Sequence, residues 1–256
     1  MATGAALTPR RSARLRAKAD PDPALVVTGR PGRLPCLAYV VLYHLGGVGG
    51  LGYWHHRKFG LVSPLQAALA LFCTINAWIC VCEIALLRFP DVIRKQHAGF
   101  RKRGFDGALP PEIFLFERAT LQEVLGVRYW TIMWGTYATV DPSYVDTESF
   151  GYCVDCCNGI VTLLPTVLFA AGMTLQGELM PARTLGALGL VFFYQMFYGT
   201  VGYYFQYFYN RRYAKTPAGL VAGFIVPVNG IWIVFPALGM WACARLIHAG
   251  DFEIFL

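Results

Sequence analysis

Glu83 and Asp155 each stand inside a stretch that is otherwise apolar enough to cross a membrane. A charge held at mid-bilayer costs roughly 3 kcal/mol on insertion scales, so a chain that keeps two carboxyls there has partners for them, a use for them, or both. The chemistry open to such a pair is acid–base work, in which one group gives a proton and another takes one. Candidate partners lie in the same stretches. Asn158 follows Asp155 by three residues and Trp232 follows Asn229 by three, so each pair shares a helix face. Asn76, Tyr198 and Tyr203 add neutral hydrogen-bonding groups at similar depth. Each residue also has a plainer reading. Asn229 serves equally as a helix staple, worth roughly 0.6 kcal/mol per bond, and Trp232 as packing or an interfacial anchor. Glu83 lies near enough to Arg88 to be paired at the interface, and Asp155, five residues after Phe150, admits a shallow position. The set, not any one member, points to a site.

The elements that must position these residues are membrane helices. The chain has 256 residues, 56% hydrophobic and 14% charged, where soluble domains sit near 25% charged. That composition predicts an all-α integral membrane protein. Five apolar segments, at about Leu34–Tyr53, Pro64–Leu87, Phe150–Met173, Leu185–Tyr209 and Leu220–Ile247, each reach the roughly 20 residues that cross 30 Å of hydrocarbon. The net charge of +7 follows this topology. Basic residues crowd the N-terminal tail, the stretch 89–149 and the short turn at Arg211, Arg212 and Lys215, against Arg57, Lys58, Arg183 and Arg245 on the other side. That bias predicts a cytosolic N-terminus and argues against nucleic acid as a partner.

Residues 1–33, rich in Pro and Arg, read as a disordered basic tail suited to anionic lipid; the acid-free start Met1–Lys18 also admits a transit peptide. The membrane domain is expected over 34–249, with a short C-terminal tail at 250–256. Within the long loop 89–149, Arg94–Arg103 reads as a headgroup-facing basic run. Pro110 and Pro111 suit the opening of an amphipathic interfacial helix over Glu112–Trp130, which would lie in the interface or lid a cavity. Pro165, Pro227 and Pro236 are expected to kink their helices and open room between them. Cys153, Cys156 and Cys157 have no second cluster to complete a zinc site. The cysteines read as small packing residues, and neither metal nor organic cofactor is expected.

Three blocks of this sequence resemble the emopamil-binding protein family, the sterol Δ8–Δ7 isomerases and their relatives in the EXPERA group. Tyr137–Asp155 looks like the family's Tyr-x-x-x-Asp-x-Arg-Tyr segment leading to Cys-Met-Glu. Gln195–Tyr203 looks like its Gln-x-Tyr-Gly-Asp-x-x-Tyr segment, and Asn229–Pro236 like its Asn-Ala-Leu-Trp-x-Val-x-Pro segment. The resemblance implies a five-helix transmembrane bundle of EXPERA type in the endoplasmic reticulum, with another organellar membrane as the alternative. It implies a membrane sterol isomerase-like protein that shifts a ring double bond through a carbocation. Asp155 and Glu83 would move protons, Trp232 would face the cation with its π-cloud, and Asn229 would orient the acid. Asn158, Tyr198, Tyr203 and Asn76 would contact the substrate. The partners implied are a sterol or other hydrophobic small molecule and membrane lipid, with a homodimer left open.

The sequence departs from the family pattern at four positions. Ile79 stands where the family has a His, Asp155 where it has Glu, Thr200 where it has Asp, and Ser143 where it has Arg. A non-catalytic sterol or cationic-amphiphile binding protein of the same fold, and a structural subunit of an organellar complex, therefore stay beside the enzyme as alternatives.

Overall fold

A computed structural model describes residues 34–111 and 114–256. The basic tail expected over 1–33 lies outside the described residues, as do Glu112 and Ile113. The described chain is almost entirely helical. In order it forms α1 (Cys36–Phe59), α2 (Pro64–Arg88), α3 (Pro90–Lys102), α4 (Leu121–Leu125), α5 (Thr131–Tyr137), α6 (Phe150–Val161), α7 (Leu163–Leu175), α8 (Ala182–Tyr209), α9 (Ala218–Leu220) and α10 (Val226–Ala249). One short antiparallel pair joins β1 (Leu34–Pro35) to β2 (Arg118–Ala119).

Among the described residues, four helices are long and apolar enough to cross a membrane. They are α1, α2, α8 and the stretch Ala218–Ala249; α6 and α7 make a fifth if the bent pair is counted as one span. Local signals set their ends. Ser63 caps α2 by accepting the Gln66 N–H, with Pro64 in the first turn, where a missing N–H costs nothing. Gly60 closes α1 in the left-handed region at φ 73°. The helix therefore runs on through His55–Lys58 to Phe59, beyond the Tyr53 boundary expected from hydropathy.

The prolines act one turn from where they stand. The α6–α7 axis bends by 49° at Thr162, because Pro165, in the first turn of α7, has no N–H to donate to the carbonyl four residues back and its ring crowds that carbonyl. Ahead of Pro227 the chain widens into a π-turn over Val221–Ile225, where the Val226 N–H reaches back five residues to the Val221 carbonyl. Such turns recur at functional sites. Pro236 stays inside α10, which continues past it.

The stretch 89–149 differs most from its sequence reading. Among the described residues of the stretch 112–130 there is no single interfacial helix. Phe114–Phe116 makes a single 3-10 turn, Arg118–Ala119 is drawn into the strand pair, Thr120 caps α4, and extended Gly126 ends it before a second 3-10 turn at Val127–Trp130. The amphipathic helix lies instead in the basic run, as α3. Its Ile93, Gln96, His97 and Phe100 are buried while Arg94, Lys95, Arg101 and Lys102 face out. α3 packs on α5, and α5 is tied to α2 by the Trp134 indole N–H, which donates to the Cys82 carbonyl at 2.6 Å. Residues 250–256 are not a free tail, since Phe255 is buried in the core.

Two apolar cores result. One gathers Leu86, Ile93, Trp130, Trp134, Tyr152 and Tyr207; the other gathers Leu69, Phe72, Phe169, Phe193 and Leu246. Close approach of α2 and α6 runs through Gly159, where an added Cβ would sit 2.7 Å from Glu83 Cβ and 3.0 Å from the Cys80 carbonyl oxygen. Gly159→Ala is therefore expected to cost about 1–3 kcal/mol by overpacking, seen as a lower unfolding temperature in detergent. Gly46→Ala, inside α1 with nothing within 4 Å, should leave that temperature unchanged or raise it slightly. Equal behaviour of the two variants would refute this account of the helix pair.

Candidate functional site

The site is built around two hydrogen-bond chains that both start on α10 and end on a buried carboxyl. The first begins at the Trp232 indole N–H, which donates to Asn76 Oδ1 at 3.0 Å. Asn76 Nδ2 donates to Thr162 Oγ1 at 3.3 Å and to Thr166 Oγ1 at 2.9 Å. The Thr162 hydroxyl donates to the Asn158 main-chain oxygen at 2.8 Å, with Asn158 Oδ1 at 3.2 Å. Asn158 Nδ2 then donates to both Glu83 oxygens, at 2.9 and 2.7 Å. Thr162 occupies the α6–α7 break, so the bend turns its hydroxyl into a link between helices. Glu83 is 3% exposed, and its carboxyl is met by neutral donors, the Asn158 amide and the Cys80 thiol, rather than by a cation.

The second chain begins at Asn229, whose Nδ2 donates to Tyr137 Oη at 2.8 Å and to the Ile225 carbonyl at 2.7 Å. The Ile225 carbonyl belongs to the last residue of the π-turn, so the widened backbone helps fix the Asn229 amide. Tyr137 Oη lies 3.2 Å from Tyr203 Oη, and the Tyr203 hydroxyl donates to Asp141 Oδ2 at 2.8 Å. A hydroxyl has one proton, so Tyr137 is the donor to Tyr203. Asp141, 0% exposed, also accepts the Ser143 N–H at 3.0 Å. Burial pushes its carboxyl above the ordinary value, and the Ser143 N–H and the Tyr203 hydroxyl pull it part of the way back.

Between the two apolar cores lies a partly open cavity of about 120 Å³. Glu83, Asp155, Asn158, Tyr203, Asn229 and Trp232 all line it. Asp155 is half-buried and opens on this space, with Tyr144 as its hydroxyl neighbour. Beyond these and the polar Gln195 and Thr200 the wall is aromatic and aliphatic, with Trp134 and Tyr137 contributed by α5, and among the described residues no Lys, Arg or His lines it. Two carboxyls against aromatic faces, with no cation to neutralise them, make a chamber that favours positive charge.

Two residues expected to contact substrate sit elsewhere. Tyr198 is 61% exposed on the outer face of α8, stacked on Tyr194 at 6.1 Å. The cavity stripe of that helix is Gln195, Met196, Gly199, Thr200 and Tyr203, and Tyr198 falls off it by the helical period. Asn76 is wholly buried behind the wall, where its four-way bonding holds Trp232 and Thr162. It acts on any ligand through Trp232.

Other contributors carried little signal. Thr162 and Cys80, whose Sγ lies 3.3 Å from Thr162 Oγ1, are ordinary residue types in an apolar run. Tyr137, Asp141 and Gln195 sit in the blocks that resemble a known family, without an assigned role. Comparison with protein-family models, with curated proteins and with solved structures gives no match.

Proposed function

We propose that this chain is a membrane-embedded sterol isomerase of the emopamil-binding type, working in the endoplasmic reticulum on the ring double bond of a sterol-sized alkene. One observation carries the reading: Glu83 and Asp155 open on the same largely aromatic-walled cavity, which no Lys, Arg or His lines among the described residues. Their roles follow from their partners. Both oxygens of Glu83 are engaged by Asn158, whereas Asp155 faces the cavity with a single hydroxyl beside it. Asp155 is the group free to give a proton to an alkene carbon. The carbocation that forms faces Trp232, whose plane is locked by Asn76, and Glu83 supplies the fixed opposing charge. Loss of a proton from the neighbouring ring carbon to Glu83 completes the shift of the double bond. Each turnover then moves one proton from Asp155 to Glu83, and it returns before the next.

The test is conversion of a Δ8-sterol to its Δ7 isomer by purified protein in detergent, followed by chromatography of the sterols. No conversion under conditions where the sterol binds would remove the enzyme reading. A second reading, a binding protein for sterols or cationic amphiphiles, is favoured by Ile79. It lines the cavity at the position where the family that the sequence resembles carries a His, so a polar group is missing from that wall.

Both readings give Trp232 the same part. Trp232→Ala is expected to weaken binding of a tertiary-amine amphiphile by about tenfold or more, as the loss of a desolvated cation–π contact of about 2 kcal/mol implies. Titration of the purified variant measures this, and unchanged affinity would take Trp232 out of the site.

A further inference from the structure

We infer that the Gln195 side chain is a hydrogen-bonding subsite for a neutral oxygen group of the cavity's ligand, a hydroxyl above all. This rests on the sterol reading of the cavity and adds to it the group by which the ligand is oriented.

The inference starts from an unmet acceptor. Gln195 lines the cavity, and its Oε1 is shielded from solvent with no donor in reach. The other polar side chains on this wall are served. Trp232 Nε1 donates to Asn76, Thr200 Oγ1 donates to the Met196 carbonyl at 2.9 Å, Asn229 donates to Tyr137 and Ile225, and Asn158 joins Thr162 to Glu83. Among the described residues that line the cavity, Gln195 Oε1 is the one buried side-chain oxygen left without a partner.

Its position makes the vacancy costly. Gln195 sits at the midpoint of the 28-residue α8, the level of a membrane span that is farthest from water and headgroups. A buried amide oxygen without a donor costs on the order of 1–3 kcal/mol, and hydrocarbon returns none of it. A ligand that donates a hydrogen bond recovers that cost.

The chemistry of the walls selects the donor. An ammonium group is drawn to the Glu83 carboxylate, and a carboxylate is repelled by it. A hydroxyl carries no charge and both donates and accepts, so it pairs with the amide through Oε1 or through Nε2. Along α8, Gln195 lies eight residues from Tyr203, about 12 Å at 1.5 Å per residue. The cavity wall is therefore long, and a hydroxyl held at Gln195 fixes which way an elongated molecule enters it.

The experiment titrates purified wild-type protein and Gln195→Leu in detergent with two probes, a Δ8-sterol carrying its 3-hydroxyl and the same sterol without it. Wild type should prefer the alcohol by about tenfold, and Gln195→Leu should lose that preference. The deoxy sterol should bind both proteins alike, which also shows that the variant is folded. An equal loss for both sterols, or a preference for the alcohol that survives in Gln195→Leu, overturns the subsite and leaves the sterol reading standing. If neither sterol binds wild-type protein, both inferences fall.

Discussion

Asp155→Asn is expected to lower the rate of Δ8-to-Δ7 sterol conversion by about 10²–10⁴-fold, the usual contribution of a positioned proton-transfer group, while sterol affinity changes by less than about tenfold. The asymmetry follows from where the group sits. Asp155 opens on the cavity beside Tyr144 and joins neither of the chains that run from α10, so an amide of nearly the same shape leaves Glu83, Asn158 and the helix contacts in place. What goes is the proton that the alkene would receive. Paired measurements of turnover and sterol binding on one preparation decide it. Turnover within tenfold of wild type would move the proton-donating role to another residue. Parallel loss of binding and turnover would make Asp155 a residue that holds the ligand instead.

Asn158→Leu is the second large effect, and it falls on the fold. Leu shares the branched outline of Asn, though it is bulkier, and has no N–H, so both Glu83 oxygens lose the donor that now reaches them at 2.9 and 2.7 Å. With Glu83 buried, no water takes its place. Removing one partner of a buried charged group costs about 3 kcal/mol, which should appear as a clear drop in unfolding temperature in detergent. The double variant Glu83→Leu/Asn158→Leu should recover much of the loss, because neither partner is then left unmet. A double variant no better than the sum of the two singles would show that Asn158 stabilises the bundle for a reason other than Glu83.

The five apolar stretches were legible because a span of about 20 apolar residues announces itself without reference to its neighbours. Faces were not. α8 is apolar all round, and Tyr198 and Tyr203 are the same residue type five positions apart. Only packing against α6 and α10 tells which of them looks inward. The roles in the first chain were hidden for a related reason. Asn76 looks like a ligand-facing amide in a list of residues, and the break at Thr162 that draws it into the wall depends on Pro165 three residues later. Within 89–149 the signals were present and outweighed. Thr120 and Glu123 have the spacing of a capping box, which the fold uses, and Gly126 marks where α4 stops. The mixed apolar spacing of Glu112–Trp130 nonetheless suggested one helix, because nothing local says that Arg118–Ala119 will pair with Leu34–Pro35, more than eighty residues away.

Both chains of donors begin on α10, the last of the described helices to be synthesised. Until it is in place, Asn76 Oδ1 has no indole to accept from, Tyr137 has no amide to orient it, and the chamber lacks the wall that carries Asn229 and Trp232. A nascent polypeptide halted before Ala218 would hold Glu83 and Asp155 beside an open flank. During biosynthesis, α10 therefore acts as the closing piece. A product that ends before Ala218 leaves that polar interior without its last wall.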